Sequence, residues 1–295
     1  TSVVESLPGE KPGAKMETVE ANLDIKPLHD YQIAGSQHIM RMLTEEDFTK
    51  KTLIAIPTGA GKTRLVVETL VDWLNNQKQD SPEQQKNSKF IIWLAHSHEL
   101  CEQAIDAFKQ IYHAKGKTAL NIHRFFGAGG ELPAGTEFED LLPENGVIVA
   151  TISSFYKILP KLKKKSSLDQ VDDEKRNDDF QEFDENSPLE PLSKITSCIV
   201  IDEAHRSLAA SYTAFLRAMG LSFRGKGRND HNIALVGLTA TPFRGSGRDQ
   251  FNDQELSAET KRLRKRYGGE PFVPFIHSHS SKPKPTAIID CPDEI

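Results

Sequence analysis

The chain has 295 residues, of which 37% are hydrophobic and 27% are charged; this composition is typical of a globular protein with a sizeable core and excludes a disordered chain. Its formal net charge is −5, so no global positive field attracts nucleic acid, and any contact with nucleic acid has to be local. The three cysteines are widely spaced and form no CxxC pair, which argues against a disulfide framework. No apolar run reaches the roughly 20 residues that span a bilayer. We therefore expect a cytoplasmic protein without membrane contact.

Apolar runs and amphipathic stretches alternate along the chain after a lead-in, residues 1–22, that is rich in Gly, Pro and charge. The predicted strands are, in chain order, Thr52–Ile56, Phe90–Ala95, Val147–Ala150, Ser197–Ile201 and Ile233–Leu238. The predicted helices are Arg64–Asn75, Glu99–Tyr112, one that begins at about Ile152, and Ala209–Met219. Strands that are apolar throughout and separated by helices predict an α/β fold, with a mainly parallel sheet covered by helices on both faces.

Two regions break this alternation. Residues 161–191 begin with a basic run and then turn acidic, which predicts a charged surface insertion; it serves either as an arm for nucleic acid or a partner, or as a solvated loop. Residues 251–295 are basic and then contain Pro and His, and predict a tail that leads to a further domain. The folded domain is therefore expected over residues 23–250. The basic runs 224–228 and 261–266 fit phosphate contacts and solvated loops equally well.

A glycine-rich loop, PTGAGKT at residues 57–63, lies between a predicted strand and a predicted helix. In that context backbone N–H groups and the helix N-terminus cradle phosphate oxygens. Lys62 is expected to reach the β- and γ-phosphates of ATP, and the Thr63 hydroxyl is expected to bind Mg²⁺. Ile56 stands where the general pattern has its first glycine. The residues predicted to bind the nucleotide here are Thr58, Gly59, Ala60, Gly61, Lys62 and Thr63.

An acidic motif, Asp202-Glu203-Ala204-His205, follows the predicted strand at 197–201. Carboxylates at the carboxyl end of a parallel strand face the crevice where ligands bind. Asp202 is predicted to hold Mg²⁺ as a hard oxygen ligand. Glu203 is predicted to be the catalytic base that orients and deprotonates water, and Lys62 is predicted to be the catalytic cation of the same site. Alternatively, the two acids cap the next helix. This interpretation is disfavoured because the phosphate loop is present in the same chain.

Taken in chain order, these motifs resemble superfamily 2 helicases of the DEAH-containing type, over about residues 26–245. The matching stretches are LHDYQ at 28–32, PTGAGKT at 57–63, LAHSHEL at 94–100, ATISSF at 150–155, DEAH at 202–205 and LTATPFR at 238–244. The resemblance implies a RecA-like P-loop NTPase domain in which Gln32 binds adenine. It implies nucleic-acid backbone contacts by Ser97, Thr151, Ser153 and Ser154. It implies coupling of the two sites by His205, Thr239 and Thr241. His29 and His98 stand where this family commonly has arginine.

The spelling DEAH with ATPFR is similar to the branch of type III restriction subunits and DNA-repair helicases, which favours DNA over RNA. The resemblance also implies a second RecA-like domain whose arginines complete the ATP site, and no G-R-x-G-R motif occurs here. We therefore expect the ATP-binding half of an ATP-dependent DNA helicase or translocase, nearly inactive by itself. Two alternatives stay open: a DNA translocase subunit of a restriction or defence complex without strand separation, and a non-enzymatic ATP-gated nucleic-acid-binding module.

Overall fold

The structure, a computed structural model, describes residues 16–19, 25–45, 48–76, 90–127, 146–159, 189–221, 232–240 and 258–274. Most of the predicted insertion, residues 161–188, lies outside these ranges, as do the basic run 224–228 and the second half of the predicted tail. Thr241, predicted to couple the two sites, also lies outside the described residues.

The described residues build one seven-stranded sheet. Its strands are β1 (Met16–Val19), β2 (Lys51–Ala55), β3 (Phe90–Ala95), β4 (Leu120–Phe125), β5 (Gly146–Thr151), β6 (Thr196–Ile201) and β7 (Ala234–Thr239). Their order in space is β1-β4-β5-β3-β6-β7-β2, and all neighbours are parallel except β1, which pairs antiparallel with β4. The central strands are buried along their whole length, which is why their sequences are apolar throughout instead of alternating.

Helices cover both faces of the sheet. They are α1 (Asp30–Thr44), α2 (Lys62–Asn75), α3 (His98–Lys115), α4 (Ile152–Ile158), α5 (Glu190–Ile195), α6 (Ala210–Ala218) and α7 (Ala258–Arg266), with a 3₁₀ turn at Ala204–Leu208. One core forms between the sheet and α1, α2 and α3, and a second core forms between the sheet and α4, α5, α6 and α7. Successive residues of β3 alternate between the two cores, with Trp93 in the first and Ile92 in the second. The predicted α/β fold is confirmed.

Two described segments from outside residues 23–250 pair with the sheet. Residues Met16–Val19, predicted to belong to the lead-in, form an edge strand on β4. Residues 258–274, predicted to belong to the tail, form α7 and then pair with β2, where the N–H of Phe272 donates to the Leu53 carbonyl at 2.7 Å. The Ala55 N–H returns a bond to the Phe272 carbonyl at 3.0 Å. Both segments satisfy backbone groups that an edge strand otherwise leaves unpaired.

The sheet order has a consequence for the site. Because β2, β7, β6, β3 and β5 are adjacent and parallel, the segments that follow them emerge side by side at one edge.

Among the described residues, no helix is both long and apolar enough to cross a bilayer.

Candidate functional site

The predicted motifs follow neighbouring strands along the carboxyl edge of the sheet. The phosphate loop follows β2, Thr239 ends β7, Asp202 follows β6, Ser97 comes shortly after β3, and Thr151 ends β5. This row places the two segments expected to handle ATP, with the coupling segment of Thr239 between them, at one end and the two segments expected to touch nucleic acid at the other. Asp202 lies at the boundary between them, since its backbone N–H donates to the Leu94 carbonyl of β3 at 2.9 Å.

The phosphate loop obtains its shape from two glycines with left-handed backbone angles. Gly59 has φ 80°, and Gly61, the residue before α2, has φ 71°. A Cβ atom added to Gly59 would meet nothing within 4 Å, so the loop faces open space there. A Cβ atom on Gly61 would lie 2.5 Å from the Gln32 Nε2 atom, so a larger residue would displace the Gln32 amide as well as strain the backbone. The loop is thus an open backbone bend at a helix N-terminus, the arrangement that binds phosphate.

The start of α1 supports this loop from behind. The Tyr31 hydroxyl donates to the Ala60 carbonyl at 3.0 Å, and the Gln32 Nε2 atom donates to the same carbonyl at 3.4 Å and to the Gly61 carbonyl at 3.5 Å. The Gln32 Oε1 atom accepts from the His29 N–H at 3.0 Å. Gln32 is therefore buried between the helix end and the loop, and its predicted contact with adenine stays a prediction. Tyr31 was not predicted to be a site residue. Its position next to Gln32 in the chain could have indicated that it lies beside the loop.

Asp202 is a buried carboxylate held next to the phosphate loop. Burial raises the pKa of Asp202, and the neighbouring charge of Glu203 raises it further. The Glu203 N–H, which donates to the Asp202 Oδ1 atom at 3.0 Å, lowers that pKa, as do the nearby charges of Lys62 and His96. Lys62 and Asp202 thus lie within electrostatic range of each other although they belong to different strand ends. His96, exposed just after β3, was missed as a neighbour of this site.

Glu203 has a backbone conformation that non-glycine residues rarely adopt, with φ 53° and ψ 55°. Such left-handed residues cost about 1–3 kcal/mol and cluster at functional sites, where the surrounding structure holds them. The Glu203 Oε2 atom lies 3.2 Å from the His205 Nδ1 atom. The carboxylate of the predicted base therefore lies beside the histidine predicted to couple the two sites.

Thr239 connects the last strand to the phosphate loop. Its side chain is fully buried, and its carbonyl accepts from the N–H of Ile56, the residue before Pro57, at 3.2 Å. The pairing of Ala55 with Thr239 in the β2–β7 ladder fixes this neighbour relation. A displacement of the β7 end would therefore reach the loop through the backbone.

The four hydroxyl residues predicted to touch nucleic acid fall into two groups. The Ser97 Oγ atom accepts from the Leu100 N–H at 3.3 Å and caps α3. The Thr151 Oγ1 atom lies 2.9 Å from the Ser153 Oγ atom and 3.1 Å from the Ser154 Oγ atom. Thr151 and Ser154 are buried, Ser97 is half-buried and Ser153 is exposed. Their contact with phosphates stays a prediction, for which Ser153 and Ser97 are the accessible members.

The fold, the phosphate loop and the acidic strand end define a RecA-like ATP-binding domain. A comparison with protein families matches residues 25–244 to the family described as type III restriction enzyme, res subunit. Since the match covers most of the chain, this chain belongs to that family, whose members carry the RecA-like ATP-binding domain of superfamily 2 helicases. The predicted resemblance is confirmed. A comparison with curated proteins found no match.

Proposed function

We propose that this chain supplies the ATP-binding domain of an ATP-dependent DNA motor, a helicase or translocase that hydrolyses ATP to move on or remodel nucleic acid. The proposal rests mainly on the strand order, which brings the phosphate loop after β2 and Asp202 after β6 to one edge of the sheet, where Lys62 lies within electrostatic range of Asp202. Membership of a helicase-type family supports it.

In this proposal, residues Thr58 to Thr63 bind the phosphates of ATP. The open side of Gly59 admits the phosphates to the backbone bend, and Lys62, the first residue of α2, places its ammonium group at the β- and γ-phosphates. Gln32, which already bridges α1 and the loop, is expected to contact adenine at the same end of the cleft.

Thr63 and Asp202 fit a magnesium ion by donor type. A hydroxyl and a carboxylate are the hard oxygen ligands that Mg²⁺ prefers. Burial of the Asp202 carboxylate disfavours its negative charge, and a cation at this point would offset that cost. When bound there with ATP, Mg²⁺ would supply neutralisation of phosphate charge.

The hydrolysis step needs few groups from the protein. Water oxygen forms a bond to the γ-phosphorus, the bond from that phosphorus to the ADP oxygen breaks, and the water proton passes to the Glu203 carboxylate. Lys62 balances the charge on the phosphate oxygens. His205, paired with Glu203, and Thr239, bonded to Ile56, are proposed to link this step to the nucleic-acid edge, together with Thr241.

Nucleic acid is proposed to lie across the ends of β3 and β5. The exposed Ser153 and the half-buried Ser97 offer hydroxyl and backbone groups that suit phosphate oxygens and carry no means to read bases. The preference for DNA over RNA rests on the family match to restriction subunits.

Catalysis at full rate is proposed to require a second RecA-like domain opposite this site. Lys62 is the cation that we assign to the phosphates, and arginines from a facing domain would stabilise charge that develops on the γ-phosphoryl group.

The test is ATP hydrolysis with and without DNA or RNA, measured beside strand displacement. ADP production stimulated by DNA supports the motor. Hydrolysis with translocation and no strand displacement identifies the translocase alternative. ATP binding that changes DNA affinity, with no ADP formed by the assembled motor, contradicts the enzymatic proposal and identifies the ATP-gated binding module.

A further inference from the structure

The turn that carries Glu203 is held by a segment outside the matched family region. The family match ends at residue 244, whereas residues 258–274 pack against the turn Ala204–Leu208 and against α6. Since the left-handed backbone of Glu203 persists only when its surroundings impose it, the contacts on this turn bear on the position of the proposed base.

Arg266 makes the polar contacts. It is the last residue of α7 and is buried. Its guanidinium donates through Nη1 to the carbonyl of Ser207, inside the 3₁₀ turn, and through Nη2 to the Thr213 Oγ1 atom of α6 at 2.8 Å. One buried cation therefore ties the turn to the helix that follows it. A buried guanidinium is costly to desolvate, and an apolar residue would fill the same space without that cost.

The next residue, Tyr267, packs against the other end of the turn. Its ring is fully buried and lies against Gly237 of β7, where an added Cβ atom would approach the Tyr267 Cε1 atom to 2.5 Å. The same Cβ atom would lie 2.8 Å from the Cβ atom of Ala204, the residue after Glu203. The absence of a side chain at residue 237 thus lets the end of α7 reach both the beginning and the end of the turn.

We infer that Arg266 is a positioning residue for ATP hydrolysis, which acts by holding the Ala204–Leu208 turn so that the Glu203 carboxylate keeps its orientation toward the attacking water. This inference rests on the proposed function. It assigns to residues 258–274 a role in the chemistry of the site, through Arg266 and Ser207, without contact with the nucleotide.

The experiment compares single-turnover ATP hydrolysis, which resolves slow rates, with ATP affinity measured by calorimetry. Arg266→Met keeps an unbranched apolar side chain at this position and removes the guanidinium donors. It is expected to slow hydrolysis about tenfold or more, since small misplacements of a catalytic group have effects of this order, and to leave ATP affinity within about twofold. Arg266→Lys, which can still donate to Ser207, is expected to recover most of the rate. Arg262→Met, an exposed position on the same helix, is the control with the same loss of charge and is expected to match the wild type.

Two results would overturn the inference. One is a folded Arg266→Met protein that hydrolyses ATP within about twofold of the wild-type rate. The other is an equal loss of rate and of ATP affinity, which would indicate general damage to the domain. If Arg266→Met does not fold, Thr213→Val decides the matter, because it removes one acceptor of Arg266 and leaves the guanidinium in place. It is expected to slow hydrolysis a few-fold, about threefold, at unchanged ATP affinity, and a wild-type rate would refute the role.

Glu203→Gln separates this inference from the proposed function. Loss of hydrolysis in Glu203→Gln with a wild-type rate in Arg266→Met refutes the positioning role alone. A wild-type rate in Glu203→Gln refutes Glu203 as the base, and the positioning role fails with it.

Discussion

Lys62 and Asp202 come from different strand ends, and their proximity turns two short motifs into one site. Lys62 begins α2, where the helix N-terminus already favours negative charge. Asp202 begins the turn after β6, where burial raises its pKa and Lys62 opposes that rise. The positive charge of Lys62 therefore acts on Asp202, as the proposed site for ATP and Mg²⁺ requires.

Replacement of Lys62 tests the phosphate loop directly. Lys62→Ala removes the cation proposed to contact the β- and γ-phosphates, and we expect ATP affinity to fall about tenfold or more, equivalent to about 1.4 kcal/mol. Calorimetric titration of the folded variant measures this. Lys117→Ala, exposed after α3 at the opposite end of the sheet, is the control that should retain affinity. Wild-type affinity in Lys62→Ala would exclude the assignment.

Replacement of Glu203 separates binding from chemistry. Glu203→Gln keeps the shape of the side chain and removes the proton acceptor, so ATP should bind as before while hydrolysis falls by about 10²-fold or more. Phosphate release and calorimetry on the same variant check the two parts. Glu45→Gln, at an exposed ion pair at the end of α1, is the matched control and should hydrolyse ATP normally. Retained turnover in Glu203→Gln would mean that another group activates water.

At the scale of elements, the ends of β3 and β5 form one short surface. The ladder pairs Ala95 with Thr151, so the segments with Ser97 and Ser153 emerge beside each other. Buried Thr151 and Ser154 bond within this surface and leave Ser153 exposed. Such a surface offers hydroxyl and backbone groups, which bind phosphates without regard to sequence.

Nucleic-acid binding by this chain should be weak, sensitive to salt and indifferent to sequence. The net charge of −5 gives no long-range attraction, and local phosphate contacts release counterions, so affinity should fall steeply as salt rises. Fluorescence anisotropy at several salt concentrations, with unrelated sequences of equal length, measures both properties. Tight binding to one sequence that does not change with salt would contradict this surface.

The contact between β7 and the end of α7 should matter for stability. Gly237→Ala forces a Cβ atom to 2.5 Å from the buried Tyr267 ring, and overpacking of this kind costs about 1–3 kcal/mol in the free energy of unfolding. Urea denaturation measures the loss. In a double-mutant cycle, Tyr267→Leu should relieve part of the clash. The double variant should therefore lose less unfolding free energy than the sum of the losses in the two single variants. Full additivity would show that the two residues do not press on each other.

At the scale of the whole molecule, the described residues supply one side of the proposed ATP site, and the second RecA-like domain remains a proposal. We expect this chain alone to hydrolyse ATP about 10³-fold more slowly than a protein in which such a domain faces the site, because arginines supplied from outside are worth this much in phosphoryl transfer. DNA should barely change the slow rate. Phosphate release with and without DNA, for both proteins, provides the comparison. DNA-stimulated turnover by this chain at the rate of the two-domain protein would refute the need for a facing domain.

Much of the fold follows from the sequence because buried parallel strands are apolar along their whole length. Phe90–Ala95 was predicted with its observed bounds, and the other predicted strands differ from the observed ones by a residue or so. Strand β4 was not predicted because its residues alternate between buried and half-buried positions and include His123 and Arg124. Helix α7 was not predicted because it is mostly charged, and of its three buried positions, Thr260, Leu263 and Arg266, only Leu263 is apolar.

The sequence by itself determined the chemistry that is local in the chain: the phosphate loop, the acidic pair and the family they indicate. These signals are short, so a few neighbouring residues carry each of them. Only the tertiary structure decided the order of the strands, which sets Ala55 beside Thr239, and the return of residues 258–274, which sets Arg266 on the turn after Glu203. Those contacts join residues far apart in the chain. No local pattern distinguishes one apolar strand or charged helix from another as a partner, so the packing of the two cores as a whole decides which elements meet.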